Sequence, residues 1–186
     1  MSTASTGWDF TLCHNGLVPI RDERTAWRPI LRLRAGGNVV NLSTPLGLAV
    51  AALGHSTIRR HPRGLFLAEH YRLRFPLAGA FTIGNVIITS KEFAELERRF
   101  PRLLQHEERH TWQYLYCFGL PYYLLYGVCM GWSLIRTGDR ASANFFERQA
   151  GLAWGGYAER PVRPVRDGLR SIIGAARTSV LGSPKP

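Results

Sequence analysis

Two histidines and a glutamate within five residues are the clearest indication of chemistry in this sequence. His106 and His110 are four residues apart, so in a helix both imidazoles lie on one face and can bind the same cation. Glu107 projects beside that cation rather than onto it. A zinc-bound water has a pKa near neutrality, and a carboxylate within hydrogen-bonding distance can remove its proton. The segment therefore predicts a mononuclear zinc site with Glu107 as general base.

The residues around this motif favour a buried helix over the alternative, an ordinary solvated helix face. Leu103, Leu104 and Trp112 form an apolar stripe that would bury the helix. Glu108 and Arg109 place two charges inside the motif. We expect these two side chains to face solvent or to pair with neighbours.

A catalytic zinc site usually has three protein ligands and a fourth position that is open to water. The remaining histidines precede the motif without paired spacing: His14, His55, His61 and His70. A downstream acid is the better candidate, and Glu147 begins a predicted helix that Ser142 or Asn144 could cap. The alternatives are Glu159 as the ligand, or Glu147 as a surface residue in local salt bridges.

The elements that must position these residues start with the segment Phe81–Thr89. Its β-branched residues flank a Gly-Asn pair, which predicts strand structure with a turn or bulge. Ser90 is predicted to cap a following helix. Pro101 is predicted to start or kink the next helix, which runs through Gln113 and carries the motif.

The region before this strand, residues 17–79, is predicted to be irregular and rich in β structure. Ile30–Arg34 alternates with period two, and Val39–Leu42 is a second candidate strand after a Gly-Gly-Asn turn. Pro45–Gly54 is an apolar run of about ten residues, too short to span a bilayer, and predicts a buried helix.

The 25 residues from Thr111 to Ile135 carry no charge and are rich in aromatic and aliphatic side chains. Glycines and one proline interrupt them, so we expect a buried helix or helical hairpin against the motif helix. Insertion into a membrane, or docking at its interface, is the alternative that the length and aromatic content leave open.

The composition indicates one globular domain of ordinary hydrophobicity in a chain of 186 residues. We expect a flexible N-terminus at residues 1–16, a single domain at 17–158 that bears the motif in 80–155, and a basic Pro/Arg-rich tail at 159–186. A short helix is expected within that tail, at 169–175.

Charge, cysteines and the N-terminus bear on partners and location. The net charge is +11, but the arginines are scattered and no nucleic-acid-binding motif is recognisable, so we do not expect nucleic acid as a partner. Three cysteines without paired spacing and an N-terminus without a signal pattern predict a cytoplasmic protein.

The motif segments resemble a known class of enzyme. Leu104–Gln113 together with Asn144–Ala150 resembles the minimal gluzincin-type metallopeptidases, in which a His-Glu-x-x-His helix and a glutamate on a following helix hold zinc. Thr82–Ile87 is similar to a strand that precedes the motif in several uncharacterised bacterial zincin-like domains. The resemblance covers roughly residues 80–155, under half of the chain.

This resemblance implies an α+β, zincin-like fold. A small twisted sheet or hairpin would precede a central HExxH helix, followed by a hydrophobic helical segment and a helix with the third ligand. His106, His110 and Glu147 would hold Zn²⁺, with Glu107 as general base. The expected function is hydrolysis of a peptide bond by a zinc-activated water, with the peptide bound as an extended strand against Phe81–Thr89.

Peptide hydrolysis also needs a donor for the oxyanion that forms when water attacks the carbonyl. Tyr157 is our candidate, and Tyr122, Tyr123 and His70 are alternatives. Gln113, about one turn after the second histidine, is expected to support the site through hydrogen bonds to the metal ligands.

Two other classes of function stay open at the level of sequence. A non-catalytic zinc-binding structural or interaction domain would have the fourth metal position closed by protein. A membrane-associated protein would insert residues 111–135 into lipid and bring its basic tail to anionic headgroups. The sequence does not determine the oligomeric state.

Overall fold

The computed structural model describes the backbone of residues 10–13, 16–19, 29–73 and 79–181, and the side chains of 29–73 and 79–175. The chain is mixed α and β, as expected. The helices are α1 (Pro29–Val40), α2 (Ser43–Leu53), α3 (Phe93–Arg99), α4 (Leu103–Tyr116), α5 (Pro121–Thr137), α6 (Phe145–Ala150) and α7 (Val165–Leu181). The strands are β1 (Phe10–Cys13), β2 (Gly16–Pro19), β3 (Thr57–His61), β4 (Leu65–Glu69), β5 (Ala80–Ile83) and β6 (Val86–Thr89). A short 3-10 helix spans Leu152–Gly155.

The larger of two sheets has four strands in the order β3-β4-β6-β5. β4 and β6 are parallel, whereas β3 pairs with β4, and β5 with β6, in antiparallel fashion. β6 is buried along its whole length and β-branched at all four positions, which suits an interior strand. β5 lies at the sheet edge and packs beside α4, the helix that carries the motif.

The predicted turn at Gly84-Asn85 is confirmed, and it joins β5 to β6. Gly84 has a φ of +60°, and a Cβ at this position would lie 2.4 Å from the backbone nitrogen of Thr44. Only glycine therefore lets the turn pack against the start of α2. The buried Asn85 amide donates to the Ala35 carbonyl oxygen at 2.9 Å and ties the same turn to α1.

The two strands predicted at Ile30–Arg34 and Val39–Leu42 are wrong, because residues 29–40 form α1. As a helix, this segment directs Arg34 and Asn38, one turn apart, towards α4. Arg34 donates to the Glu108 carboxylate at 3.0 Å, and Asn38 donates to the Thr111 carbonyl oxygen at 2.8 Å. These long-range polar contacts outweigh a short period-two alternation.

The predicted helix at Pro45–Gly54 is confirmed as α2. Only one of its faces is buried, through Ser43, Thr44, Gly47 and Ala51. The helix predicted from Pro101 to Gln113 is also confirmed: α4 begins at Leu103 and continues to Tyr116.

The start of α3 differs from the prediction that Ser90 caps it. The helix begins at Phe93, and the carboxylate of Glu69 at the end of β4 accepts a hydrogen bond from the Phe93 N–H at 2.7 Å. Glu69 also binds Arg59 at 2.7 Å. Local sequence patterns miss this arrangement because Glu69 and Phe93 are 24 residues apart.

The uncharged segment 111–135 forms the end of α4, a turn at residues 117–120 and most of α5, and the two helices meet at a bend of 119°. The predicted burial of this segment is wrong for much of α5, because Leu124, Val128 and Trp132 are exposed. Among the described residues, no single helix has both the length and the apolar composition needed to cross a membrane. Two bent pairs, α1–α2 at 70° and α4–α5 at 119°, reach that length and composition jointly.

The two ends of the chain contain more regular structure than expected. β1 lies within the predicted flexible terminus, residues 1–16, and forms an antiparallel hairpin with β2, which begins at the last residue of that terminus. Residues 1–9, 14 and 15 lie outside the described residues. The short helix expected at 169–175 is longer, because α7 spans Val165–Leu181 and packs on α5. A Cβ at Gly168 would lie 1.9 Å from the Ile135 carbonyl oxygen, so glycine permits this close approach.

The pH dependence of the stability that Glu69 contributes is a test of this architecture. Burial alone would raise the pKa of Glu69, but hydrogen bonds from the Phe93 N–H and from Arg59 outweigh burial and lower it below its usual 4.5. A carboxyl with a depressed folded-state pKa stabilises the fold above its unfolded pKa and loses that contribution as the pH falls through the folded value. We expect Glu69→Gln to lower the free energy of unfolding by about 1–2 kcal/mol at neutral pH.

Urea denaturation at a series of pH values measures this effect. The difference between wild type and Glu69→Gln should shrink as the pH falls below the usual carboxyl pKa of 4.5. Glu159→Gln is the control: it removes an exposed pair with Arg148 and should change stability by less than about 0.5 kcal/mol. A difference that is the same at every pH would contradict the assigned role of Glu69.

Candidate metal centre

Helix α4 directs both motif histidines into the protein interior. His106, Glu107, Glu108 and His110 are each between 2% and 6% exposed, so the alternative of a solvated helix face is wrong. The His106 and His110 rings meet edge to face with centroids 4.7 Å apart, and their Nε2 atoms are 3.1 Å apart.

Helix α6 brings Glu147 to the same point. Its N-cap is Asn144, one of the two predicted caps, whose side chain accepts a hydrogen bond from the Phe146 N–H. Glu147 is buried, and its Oε2 lies 3.3 Å from His106 Nε2 and 3.8 Å from His110 Nε2. The alternative of a surface glutamate in local salt bridges is therefore wrong. The rival ligand Glu159 is exposed and binds Arg148 at 2.6 Å.

The three ligand atoms have spacings that suit a single ion. Ligands that bind zinc at about 2.0–2.2 Å in tetrahedral geometry lie about 3.3 Å from each other. The observed separations are 3.1, 3.3 and 3.8 Å. Glu147 Oε2 is buried without a hydrogen-bond partner, as expected of an atom whose partner is a cation. His106, His110 and Glu147 thus form a buried group that could hold a metal ion.

Hydrogen bonds determine which nitrogen of each imidazole is free to bind a metal. His106 Nδ1 lies 3.1 Å from the Gly151 carbonyl oxygen, and His110 Nδ1 lies 2.7 Å from Gln113 Oε1. Both of these oxygens are acceptors only, so each Nδ1 carries the proton and each Nε2 presents a lone pair. The Gln113 amide in turn donates to the Phe146 carbonyl oxygen at 2.9 Å. The predicted supporting role of Gln113 agrees with this geometry.

Buried charge makes the cluster a favourable place for a cation. Burial raises the pKa of Glu147, but its interactions with the His106 and His110 imidazoles and with the Tyr126 hydroxyl outweigh burial, so its pKa is lowered. Burial likewise lowers the pKa of His106, while Glu147 and Glu107 raise it more strongly. The second Glu147 oxygen accepts a hydrogen bond from the Tyr126 hydroxyl at 2.5 Å, which fixes the carboxylate.

Glu107 occupies a different side of α4 from the ligand pair and faces the sheet. Its Oε2 accepts a hydrogen bond from Thr82 Oγ1 on the edge strand β5 at 2.6 Å. Its negative charge acts on His106, so the two groups are electrostatic neighbours. The candidate general base is thus held against the strand on which we expect substrate to bind.

Of the four candidate oxyanion donors, the structure brings Tyr157 beside His106, with ring centroids 6.2 Å apart. Burial raises the pKa of Tyr157, so its hydroxyl keeps its proton and remains a donor. Tyr122 lies behind His110 and donates to Gln113 Oε1 at 3.1 Å. Tyr123 packs on Tyr114 and is partly exposed. The fourth candidate, His70, is exposed at the end of β4.

The segment of residues 151–157, here named the cover segment, lies over His106. A Cβ at Gly155 would be 2.6 Å from His106 Nε2, so a larger residue at this position would have to displace the His106 ring. Gly151 and Gly156, at φ of +94° and +79°, flank the 3-10 helix within the segment. The Trp154 ring stacks under the guanidinium of Arg109 at 4.1 Å and holds the segment against α4.

Glu108 and Arg109 pair with neighbours, one of the two outcomes expected. Glu108 is buried between Arg34 and Arg63, each at 3.0 Å. Arg109 is exposed, and besides stacking on Trp154 it donates to the Ala150 carbonyl oxygen at 3.2 Å. Both charges in the motif therefore attach other segments to α4.

Three groups at the centre were not found from the sequence. Tyr126 is one of seven tyrosines in the chain, and nothing in the pattern of α5 distinguishes it. Thr82 and Gly155 act through contacts with residues 25 and 49 positions away, respectively. Only the unusual density of glycine at 151, 155 and 156 could have indicated a close backbone approach.

Comparisons with known proteins do not assign the chain to a family. No protein-family model matches it, and neither does any curated protein or solved structure. The resemblance to gluzincin-type metallopeptidases therefore stays a prediction, and the functional argument depends on the geometry of the centre itself.

Gln113 offers a test of the supporting hydrogen bonds. Gln113→Leu removes the acceptor that orients His110, and we expect metal affinity to fall about 10–100-fold. Competition with a chromogenic chelator measures this affinity. Gln105→Leu, an exposed change on the same helix, is the matched control and should leave affinity unchanged. Equal affinities for the two variants would contradict the assigned role.

Proposed function

We propose that this chain is a zinc-dependent metallopeptidase with a zincin-like domain. The observation that carries the proposal is the convergence of His106 Nε2, His110 Nε2 and Glu147 Oε2 on one buried point. The arrangement of α4 beside the antiparallel edge strand β5, with the third ligand on a later helix, supports the zincin-like part of the proposal.

The donor set favours zinc among the common metals. Two neutral imidazoles and one carboxylate are borderline ligands that suit a tetrahedral ion, whereas calcium and magnesium prefer all-oxygen sites. Within the part of the chain that the structure describes, the metal-ligand group contains three residues and no fourth histidine, cysteine, aspartate or glutamate. A three-ligand set is typical of catalytic zinc, since a fourth position is left for water.

The protein groups around the ion have distinct roles in the proposed reaction. Zinc would supply Lewis-acid polarisation of the scissile carbonyl and of the attacking water. Glu107 removes a proton from that water and later delivers it to the leaving nitrogen. The hydrogen bond from Thr82 holds the Glu107 carboxylate in place between these two transfers. Tyr157 donates to the developing oxyanion.

The substrate in this proposal is an extended peptide on the outer edge of β5. An edge strand offers unpaired backbone N–H and C=O groups, to which a peptide can add as a further strand. Glu107 contacts β5 through Thr82, so a peptide on this edge would pass close to the general base.

A non-catalytic zinc-binding domain is the second candidate, and the burial of the centre favours it. The four motif and ligand residues His106, Glu107, His110 and Glu147 are all nearly inaccessible. The cover segment also closes the side of His106. Catalysis therefore requires the part of the cover segment around Gly155 to move away from His106, whereas a structural role does not.

Zinc content is the first test of the proposal. Elemental analysis of protein purified without a metal-affinity step should give about one zinc per chain for the wild type. We expect His110→Ala and Glu147→Ala to lose the ion, because each leaves only two ligands. Glu159→Ala, an exposed glutamate, is the matched control and should keep it. A wild type that stays metal-free after incubation with zinc would overturn both candidate functions.

Glu107→Gln separates the two candidates. Because Glu107 is not a ligand, we expect this variant to retain zinc and to lose peptide hydrolysis by about 10²–10⁴-fold. A mixed peptide library analysed by mass spectrometry measures cleavage without assuming a specificity. Glu92→Gln, an exposed change before α3, is the control. A zinc-loaded wild type that cleaves no peptide would favour the non-catalytic domain.

A further inference from the structure

Helix α1 has its polar and apolar faces reversed relative to a helix on the surface of a soluble domain. It buries Arg34 and Asn38, while Ile30, Leu33 and Val40 are exposed, Val40 at 83%. A surface helix in water normally directs its apolar stripe to the core. The outward face of α1 is therefore largely apolar, with Arg32 as the one exposed charged side chain of the helix.

Helix α5 exposes an apolar stripe along most of its length. Leu120, Leu124, Val128 and Trp132 are spaced by four residues, and all four are exposed, with Leu124 at 73% and Val128 at 65%. Residues at this spacing lie one above another on a helix, so they form a continuous row. The side chains that α5 buries include the polar residues Ser133 and Thr137.

The turns that end α1 and α4 lie against each other and carry exposed apolar residues. A Cβ at Gly119 would lie 2.6 Å from the Asn41 carbonyl oxygen, so the two turns are in contact. Leu42 and Phe118 have φ of 68° and 57°, a region that large side chains rarely adopt. Phe118 is 82% exposed. Two strained backbone positions thus hold large apolar side chains in solvent at neighbouring tips.

Seven exposed apolar side chains from α1, α5 and the two turns form one surface, here named the apolar face. It comprises Val40, Leu42, Phe118, Leu120, Leu124, Val128 and Trp132. All of them lie in two stretches without aspartate, glutamate, lysine or arginine, residues 35–58 and 111–135, which are 24 and 25 residues long. The fold therefore brings the two long uncharged stretches of the chain together at one surface.

Basic residues border the apolar face at the far end of α5. The Arg136 guanidinium lies 5.4 Å from the centre of the Trp132 ring. Arg163 donates to the Ile135 carbonyl oxygen at 3.0 Å and so stands at the C-terminus of α5. Helix α7, which packs on α5, adds exposed Arg166 and Arg170. The one acidic residue of α7 among its described side chains, Asp167, lies 3.5 Å from Arg166.

We propose that the apolar face docks on an anionic phospholipid bilayer. Phe118, Leu42 and the α5 stripe enter the interfacial region, and the arginines at the end of α5 contact headgroup phosphates. Trp132 stacked with Arg136 suits the boundary between acyl chains and headgroups. A second copy of the chain is a poorer occupant, because each copy carries a net charge of +11 and the two would repel. The proposal is independent of the metal centre.

Vesicle flotation tests the docking. We expect the purified chain to float with phosphatidylcholine vesicles that contain phosphatidylserine, and at least about tenfold less with phosphatidylcholine alone. A triple variant, Phe118→Ser with Leu124→Gln and Val128→Gln, should lose at least about tenfold of the binding to anionic vesicles, since it removes exposed apolar groups. Its thermal unfolding midpoint should match the wild type, because none of the three side chains is buried.

Ile58→Gln is the matched control, an apolar residue on β3 at the opposite edge of the sheet from β5, and it should bind as the wild type does. Wild-type protein that fails to float with anionic vesicles would overturn the proposal. So would a triple variant that floats as well as the wild type. A dimer in sedimentation velocity that the triple variant abolishes, without vesicle binding, would assign the face to a second copy instead.

Discussion

The architecture depends on one constraint, which is that α4 buries polar side chains on several of its sides. A buried polar or charged group without a partner costs several kcal/mol, so each must meet another segment of the chain. Arg34 and Asn38 bring α1 to one side, Thr82 brings β5 to another, and Glu147 brings α6 to a third. The fold is largely built from elements that supply hydrogen-bonding or charged partners to the buried polar side chains of α4.

At the ligand cluster, contacts within the protein do not give every buried polar atom a partner. Around α4 nearly every buried polar atom has a donor or acceptor, yet Glu147 Oε2 has none, and the two histidine Nε2 atoms face each other as lone pairs. Among the described residues four other buried side-chain atoms also lack a partner, namely Arg34 Nε, Ser56 Oγ, Arg136 Nε and Asn144 Nδ2. Only at the ligand cluster does such an atom converge with two imidazole nitrogens on one point, which is the pattern expected of a site organised for a ligand. A divalent ion at this point would satisfy all three atoms together, which no single water could do, since a water has only two protons to donate.

The extent to which the sequence predicted this structure follows from the range of the contacts involved. The sequence predicted the pairing of His106 with His110 because the two are only four residues apart along a helix. It also predicted the β5–β6 hairpin, because the residues that form its turn are adjacent in the chain. Glu147 could be proposed because a capped helix follows a polar loop. The Glu69 carboxylate at the start of α3 and the cover segment over His106 depend on residues more than 20 positions apart, and no periodicity encodes them.

Helix α1 was misassigned for a different physical reason, and that reason bears on its surroundings. Sequence patterns identify a surface helix by apolar residues that face the core and polar residues that face water. A helix that buries Arg34 and exposes Leu33 does not match this pattern, so it was not predicted as a helix. The arginine is buried because Glu108 and Thr111 on α4 satisfy it, which is a requirement set by the interior. Among the described residues, no corresponding requirement of the interior explains why the opposite face is apolar rather than polar. The docking on a bilayer proposed above would account for the apolar side chains on this face and for the stripe on α5.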